Sequence, residues 1–158
     1  MPECANGKFV GRKAVLEYQI LCPEETPVEL DWKRVGPMTT KDLNIEWDLT
    51  EADGDDNDGP VMEQLASGLN MTVSGDGYCM KADNSVSNQV ALTIHCHTPD
   101  ATGDQPYIWV RLTYPDITFT FPALLNNMSR SGENRSAVTF SFEATAVRRG
   151  TAVITPVV

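Results

Sequence analysis

The sequence has 158 residues, of which 22 are acidic and 12 are basic, so its formal net charge at pH 7 is −10. This charge disfavours a general affinity for nucleic-acid phosphates. A chain of this length can bury roughly 70% of the surface that it exposes when unfolded, so it needs neither a metal nor a disulfide to fold. Of the acidic residues, 16 lie at or before Asp76, which concentrates the negative charge in the first half.

The sequence shows neither a transmembrane segment nor a secretion signal. No apolar run approaches the roughly 20 residues that span a bilayer, and the N-terminal residues show no signal-peptide core. We therefore expect that the protein is made in a cytoplasm and does not associate with a membrane. The cysteines form no Cys-x-x-Cys pair, so we expect reduced thiols. They are Cys4, Cys22, Cys79 and Cys96.

The first two predicted strands come before residue 36. AVLEYQILC at 14–22 alternates apolar and polar residues, and Glu17 and Gln19 share its polar face. The proline-containing CPEETP interrupts this pattern as a turn. VELDWKRV at 28–35 is then the second predicted strand.

The clearest alternation follows in DLNIEWDL at 42–49. Its apolar residues share one face, which we expect to belong to the core, and Asn44, Glu46 and Asp48 share the other face with Asp42. The sequence therefore predicts a strand with a row of polar and acidic side chains on one side.

Residues 51–68, EADGDDNDGPVMEQLASG, combine an acidic loop with an apolar pattern of helical spacing. Pro60 suits the first turn of a helix and Gly68 suits its end, so we expect a helix of about two turns. The loop itself carries four aspartates, Asp53, Asp55, Asp56 and Asp58.

The acidic loop does not fit a calcium-binding EF-hand. Counting from Asp53, the sixth position is Asp58 where a glycine is required, and the twelfth is Gln64 where a bidentate glutamate is required. A solvated connection is the simplest interpretation. Its charge either keeps a monomer soluble or meets cations of another copy.

LNMTVS at 69–74 predicts a strand that closes at Gly75-Asp76-Gly77. Residues 85–97 are ambiguous. SVSNQVALTIHCH alternates as a strand, but its apolar residues are also spaced four apart and Ser85 could cap a helix.

The last third again reads as β-structure. YIWVRLTY at 107–114 and ITFTF at 117–121 are predicted strands, and the polar segment 126–136, with Arg130 and Arg135, is a predicted loop. AVTFSFEATAV at 137–147 alternates clearly. The tail RRGTAVITPVV is apolar, so we expect it to pair within this chain or with a neighbour.

Catalytic and metal-binding patterns are weak. Glu46 and Asp48 share a strand face, but no basic or aromatic neighbour is available to separate their pKa values. His95 and His97 would point the same way on a strand, yet no third ligand has a matching spacing. The sequence therefore predicts no enzyme, no metal and no cofactor.

The sum of these elements is seven or eight strands and one short helix, with a second helix if 85–97 is helical. This predicts a mainly β fold of the α+β type, an antiparallel two-sheet sandwich or partly open barrel with one or two flanking helices. We expect residues 1–158 to form one domain, with a core at about 14–147, an N-terminal extension at 1–13 and a C-terminal extension at 148–158.

The order of these features resembles the major tail proteins of long-tailed bacteriophages, the subunits of the tail tube. The resemblance lies in DWKRVGPMTTKDLNIEWDLTEADGDDNDGPVMEQLASGLNMTVSGDG and, more loosely, in FPALLNNMSRSGENRSAVTFSFEATA. It extends roughly from Ala14 to Ala146 and depends on layout, because no single motif is diagnostic.

The resemblance implies a β-sandwich flanked by a helix, which favours a helix within 85–97. It also implies hexameric rings that stack into a hollow tube, through which genomic DNA passes without specific binding. The implied partners are other copies of the chain, the tape-measure protein, the tail terminator and distal tail proteins. The implied location is the virion, after synthesis in the host bacterial cytoplasm.

Two sets of residues are candidates for these roles. Basic side chains in the lumen would bind phosphates and slow the DNA, so the polar face with Asn44, Glu46 and Asp48 is the first candidate for the lumen lining, and Glu17 and Gln19 are weaker ones. Unlike charges would meet between subunits. The candidates for those contacts are Asp53, Asp55, Asp56 and Asp58 with Arg130, Arg135, Arg148 and Arg149.

A monomeric binding module of sandwich type is the alternative function. A capsid decoration protein or an adhesin domain would show the same strand patterns. Such a module would be expected to carry an aromatic cluster on its loops, whereas apolar tails and long polar loops favour assembly.

Overall fold

The computed structural model describes residues 10–54, 59–61, 63–80, 88–148 and 150–157. Most of this part of the chain is β-strand. The strands are β1 (Val15–Gln19), β2 (Lys33–Arg34), β3 (Met38–Glu51), β4 (Gln64–Tyr78), β5 (Tyr107–Thr113), β6 (Ile117–Ser131), β7 (Thr139–Ala146) and β8 (Val153–Pro156). The helix α1 spans Gln89–His97, and short 3-10 turns lie at Gly11–Lys13, Glu29–Asp31 and Asp100–Thr102.

The strands form one antiparallel sheet in the order β2-β1-β5-β6-β7-β4-β3, and β8 also pairs with β6. The long strand β6 belongs to two groups. Its residues 118–124 pair with β5, whereas its residues 123–131 pair with β7. We call β6, β7, β4 and β3 the four-stranded group, and β2, β1, β5, β6 and β8 the five-stranded group.

Both groups contribute to one hydrophobic core. Tyr18 and Phe121 come from the five-stranded group, and Val73 and Phe140 come from the four-stranded group. Leu92 of α1 is fully buried in the same cluster. The mainly β prediction is confirmed, and the sheet is not closed into a barrel, because β2 and β3 lie at its two ends.

Helix α1 is held at both ends by hydrogen bonds. The Tyr18 hydroxyl donates to the Asn88 carbonyl at 3.1 Å, and burial raises the pKa of Tyr18 to about 12. At the other end, the ring of His95 bonds the Tyr107 carbonyl at 2.9 Å. The helix that the resemblance implied within 85–97 is thus confirmed for Gln89–His97, while 85–87 lie outside the described residues.

The predicted helix after Pro60 is wrong. Residues from Gln64 onward form β4, which pairs with β3 continuously from Gln64 opposite Glu51 to Gly77 opposite Met38, apart from two bulges. Over eight residues the apolar spacing fits a helix or a strand, and the long pairing with β3 decides in favour of the strand.

Gly75-Asp76-Gly77 also does not form the predicted closing turn, because it lies inside β4. Gly77 faces the core, where a Cβ atom would come within 2.6 Å of the Pro37 carbonyl oxygen and 2.9 Å of Phe140 Cε1. Glycine is therefore required by close packing and not by a turn.

Two further boundaries differ from the prediction. Most of 28–35 is not strand, since Glu29–Asp31 is a 3-10 turn and β2 contains only Lys33 and Arg34. The predicted polar loop at 126–136 is shorter, because β6 continues to Ser131 by pairing with β7. The expectation that the C-terminal tail pairs with a strand is confirmed, since β8 pairs with β6.

Candidate functional site

One side of the four-stranded group carries five carboxylates. Cross-strand partners in a sheet share a face, and the register aligns Asp42 with Ser74 and Ser74 with Glu143, while Thr40 aligns with Asp76 and Asp76 with Ser141. The other side chains between the acids on this side are mainly hydroxyls and amides. We call this side the acidic face, and its acids are Asp42, Glu46, Asp48, Asp76 and Glu143.

Within these described strands, no lysine or arginine lies on the acidic face. Lys41 pairs with Gly75 and Arg130 pairs with Phe140, so both are on the core side. The Lys41 ammonium donates to the Ala14 carbonyl at 2.5 Å. Burial, followed by the nearby Arg34 charge, lowers the pKa of Lys41. The two signs of charge are thus separated across the sheet.

Hydrogen bonds fix some of these carboxylates. Asp76 accepts from the hydroxyls of Thr40 at 3.1 Å and Ser141 at 2.5 Å. Asp48 accepts from the Asn70 side-chain amide at 3.0 Å. These donors are neutral, so they hold the two side chains in place without pairing their charge with a cation.

Sequence reasoning identified part of the acidic face. The register puts Asn44, Glu46 and Asp48 on the same side, as their alternation predicted. Asp76 was missed because its glycine neighbours suggested a turn. Glu143 alternates with apolar residues in β7, and this alternation predicts that it lies on the polar side of its strand.

Two edges of the four-stranded group are open. No described strand pairs with the outer edge of β3, which is 14 residues long. Strand β5 reaches only Leu124 of β6, so residues 126–131 of β6 have no described strand beside their outer edge. Long unpaired strand edges favour pairing with another chain.

The distal part of the β3–β4 hairpin projects beyond β7, whose pairing with β4 stops at Thr72. We call residues 45–51 and 64–71 the arm. The expectation that the whole apolar face of 42–49 is core is wrong, because Ile45, Trp47 and Leu49 are 46%, 53% and 61% exposed. Leu43 alone of this row packs against the core.

The acidic loop joins the two strands of the arm. Asp53 is exposed, and its Oδ1 accepts from the Glu63 backbone amide at 2.6 Å. Asp55, Asp56 and Asp58 lie outside the described residues.

Glu17 and Gln19 do not lie on the acidic face, because β1 belongs to the five-stranded group. Gln19 is buried, and its amide bonds both the carbonyl and the amide of Val28 at 2.7 and 3.3 Å. Glu17 bonds Arg111 at 2.9 Å. These two residues hold the 20–32 loop and are not exposed as a lining would require.

Arg111 organises that loop. Its guanidinium bonds Glu17 and Glu29, each at 2.9 Å, and lies 4.7 Å from the centroid of the Trp32 ring. Burial lowers the pKa of Arg111, but its hydrogen bonds and the charges of both glutamates outweigh this effect and raise it. The cluster is structural.

Three of the arginines predicted to contact another subunit are described. Arg130, Arg135 and Arg148 are exposed and form no ion pair with any other described residue. Arg149 lies outside the described residues. The three exposed charges are therefore available to a neighbouring molecule.

The histidines do not form a paired site. His95 is buried and bonds Tyr107, whereas His97 is exposed and bonds the Thr98 hydroxyl. No group of three metal-ligating side chains occurs in the described ranges. Cys22, Cys79 and Cys96 are free thiols, and Cys4 is not among the described residues. No helix in the described part is long and apolar enough to cross a membrane.

No protein-family model matches this sequence. No protein with a curated description matches it.

Solved structures do contain chains of similar fold. A chain from the tail of an empty gene transfer agent particle with C6 symmetry has a TM-score of 0.71 and 14% identity over 94% of this chain and 99% of that chain. A chain from a native gene transfer agent virion has a TM-score of 0.69 and 13% identity with the same coverage. The SPP1 tail tube has a TM-score of 0.64 and 12% identity, over 96% of this chain and 81% of that chain.

These identities are too low to transfer a function, but the coverage extends over nearly the whole of this chain. The overall architecture of the chain is therefore a known one. The chain has the fold of phage tail-tube proteins.

Proposed function

We propose that this chain is a structural, non-enzymatic tail-tube subunit that assembles into stacked rings around a channel for genomic DNA. The observation that carries the proposal is the four-stranded group, which combines an acidic face with two open edges. The tail and tail-tube chains of the same fold support the same role.

The two open edges are complementary in direction. Every neighbouring pair in the order β6-β7-β4-β3 is antiparallel, so β6 and β3 run in opposite directions. When identical copies stand side by side, β3 of one copy meets β6 of the next as an antiparallel pair. This contact joins unlike surfaces, and such a contact closes into a ring when the rotation between copies is suitable.

Six copies are the proposed number, because a tail of the same fold has C6 symmetry. In this ring the core side of each sheet faces outward and is covered by the five-stranded group. The acidic face then lines the channel, with Asn44, Glu46 and Asp48 among the lining residues.

A negatively charged channel suits the passage of DNA. Each basic side chain in the lumen would add a contact to phosphate and would release counterions, which strengthens binding. The acidic face offers five carboxylates and no described cation, so DNA is repelled from the wall and slides without being held.

Contacts between rings are proposed to join unlike charges. Asp53 and the neighbouring aspartates of the loop would meet the exposed Arg130, Arg135 or the Arg148-Arg149 pair of another copy. The tape-measure, terminator and distal tail proteins are the further partners of this role. The proposed location is the virion, after synthesis in the host cytoplasm.

The experiment has two steps. Electron microscopy of the purified protein should show rings or tubes with a central channel. Tubes are then incubated with short duplex DNA and sedimented. Wild-type tubes should leave DNA in solution, whereas tubes of Glu46→Lys with Glu143→Lys should retain it. If the DNA makes six phosphate contacts with the variant tubes, its affinity for them should fall on the order of 10³-fold between 50 and 200 mM salt.

Glu133→Lys is the matched control, because Glu133 is exposed in the loop after β6 and does not lie on the acidic face. It changes the charge in the same direction and should not retain DNA. Retention by wild-type tubes, or equal retention by the control, would refute the acidic lining. A protein that stays monomeric at every concentration would refute the structural role.

A further inference from the structure

We propose that the apolar strip on the arm of one copy packs against the outer face of helix α1 of the neighbouring copy in the same ring. This inference rests on the proposed function, because it requires β3 of one copy to lie beside β6 of the next. It identifies a second lateral contact, made by side chains, next to the backbone pairing of the two edges.

The strip is an ordered apolar surface with nothing of the described chain over it. Ile45, Trp47 and Leu49 alternate along β3, and Leu69 of β4 lies opposite Trp47. Each of the four is about half exposed or more. Four adjacent apolar side chains on a rigid hairpin form a surface that favours a partner.

The strip lies on the core side of the sheet and not on the acidic face. Leu43 continues the row toward the core and aligns with Val73, which aligns in turn with Ala144. The acids alternate with the strip and point to the opposite side. A partner that covers the strip therefore buries no carboxylate of the acidic face.

Helix α1 lies beside the other open edge. The Cys96 thiol is 4.0 Å from the Leu125 carbonyl oxygen, immediately before the unpaired part of β6 begins. His95 bonds Tyr107 at the first residue of β5. At the opposite end, the Gln89 amide donates to the Met80 carbonyl at 2.6 Å. The C-terminal end of the helix, which carries Ile94, thus lies beside Leu125, where the unpaired edge of β6 begins.

The outer face of α1 is apolar at its centre. Ile94 is 62% exposed, and Ala91 is exposed one turn earlier. Leu92 is fully buried and fixes the orientation of the helix. An exposed isoleucine on a rigid helix is an anchor without a partner in the described chain.

Continuity of the sheet brings these two surfaces together. Leu125 aligns with Ala144, Val73 and Leu43 across the four-stranded group. When β3 of a neighbour stands beside β6, its residues just beyond Leu43 lie near the level of Leu125 and on the same side as α1. Those residues are the beginning of the strip, so Ile45 and Trp47 come against the Ile94 face.

Photocrosslinking tests the contact in assembled tubes. Trp47 is replaced by the photoreactive p-benzoylphenylalanine, and tubes are formed from equal amounts of ¹⁴N and ¹⁵N protein so that crosslinks between copies can be recognised by mass. We expect crosslinks between copies to fall within 90–98. The same group placed at Leu30, which is 93% exposed on the 20–32 loop, should not crosslink to this helix.

A pair of matched variants gives a second readout. Ile94→Lys adds a charge to the outer face of α1 and should reduce the yield of tubes at least tenfold at the concentration that half-assembles the wild type. Leu30→Lys makes the same change at an exposed apolar residue elsewhere and should leave the yield unchanged. Both sites are exposed, so circular dichroism of each monomer should match the wild type.

The possible outcomes separate this inference from the proposed function. Crosslinks from position 47 to α1, with the selective loss of assembly in Ile94→Lys, would support the contact. Tubes that form normally while position 47 crosslinks to another region would overturn the contact and leave the structural role intact. Absence of rings and tubes from the wild type would overturn both.

Discussion

His95 is a buried residue whose ionisation is tied to folding. Burial lowers its pKa, and the hydrogen bond to the Tyr107 carbonyl opposes this only in part. Because a carbonyl can only accept, Nε2 carries the proton of the neutral ring. The unfolded chain therefore binds a proton more readily than the folded chain, so the stability that His95 contributes is full above about pH 6.5 and is lost as the pH falls.

We expect the free energy of unfolding to decrease between pH 8 and pH 5.5 more in the wild type than in His95→Gln, which keeps a donor near Tyr107. The difference cannot exceed about 1.4 kcal/mol for each pH unit below 6.5. Urea denaturation at both pH values measures it. His97→Gln is the control at an exposed position and should keep the wild-type dependence. Parallel curves for wild type and His95→Gln would contradict the assignment.

For single residues, the sequence predicts which side chains share a face of a strand but not whether that face is buried. Alternation showed correctly that Asn44, Glu46 and Asp48 share a side. The same reasoning applied to Glu17 and Gln19 gave their common face but not its burial, which depends on Val28 and Arg111 folding over that face. On a strand, His95 and His97 would point to the same side. In the helix their side chains diverge, so that His95 is buried and His97 is exposed.

Among the elements, β4 depends most on a small residue. Gly77→Ala should destabilise the protein by about 1–3 kcal/mol, because the added methyl group overlaps the Pro37 carbonyl oxygen and the buried ring of Phe140. Urea denaturation measures the loss. Gly68→Ala in the same strand is the control, since its Cβ would meet only Asp48 Oδ2 at 3.6 Å. It should change stability by less than about 0.5 kcal/mol. Equal effects would show that packing is not the reason for Gly77.

The elements themselves could be predicted where the pattern was long. The alternation of β3, β5 and β7 predicted strands, and the structure has them. The segment after Pro60 was misassigned because its helical spacing covered only eight residues, and pairing with β3 across 13 positions outweighed it. The exposure of Trp47 could not be predicted, because it arises from β7 ending earlier than the hairpin.

The whole molecule shows a charge separation that no single segment contains. The excess of acids in the first half was visible in the sequence, but Asp42, Asp76 and Glu143 share a face only through the register of three strands. Which residues far apart in sequence share a face is decided by the pairing of strands and not by the local pattern. The sequence could thus predict the negative charge of the molecule, but only part of the surface that presents it.

The direction of the contact between copies follows from the directions of the two edge strands. Because β6 and β3 run in opposite directions, a neighbour's β6 should place Asn127 toward the Asn44 end of β3 and Ser131 toward the Thr40 end. With p-benzoylphenylalanine at Asn44 in mixed ¹⁴N and ¹⁵N tubes, crosslinks between copies should centre nearer to Asn127 than those from the same group at Thr40. A uniform shift of register moves both centres together and preserves their order. The reverse order would require parallel pairing, which this sheet cannot form by repeating itself side by side, and would exclude a continuous antiparallel wall.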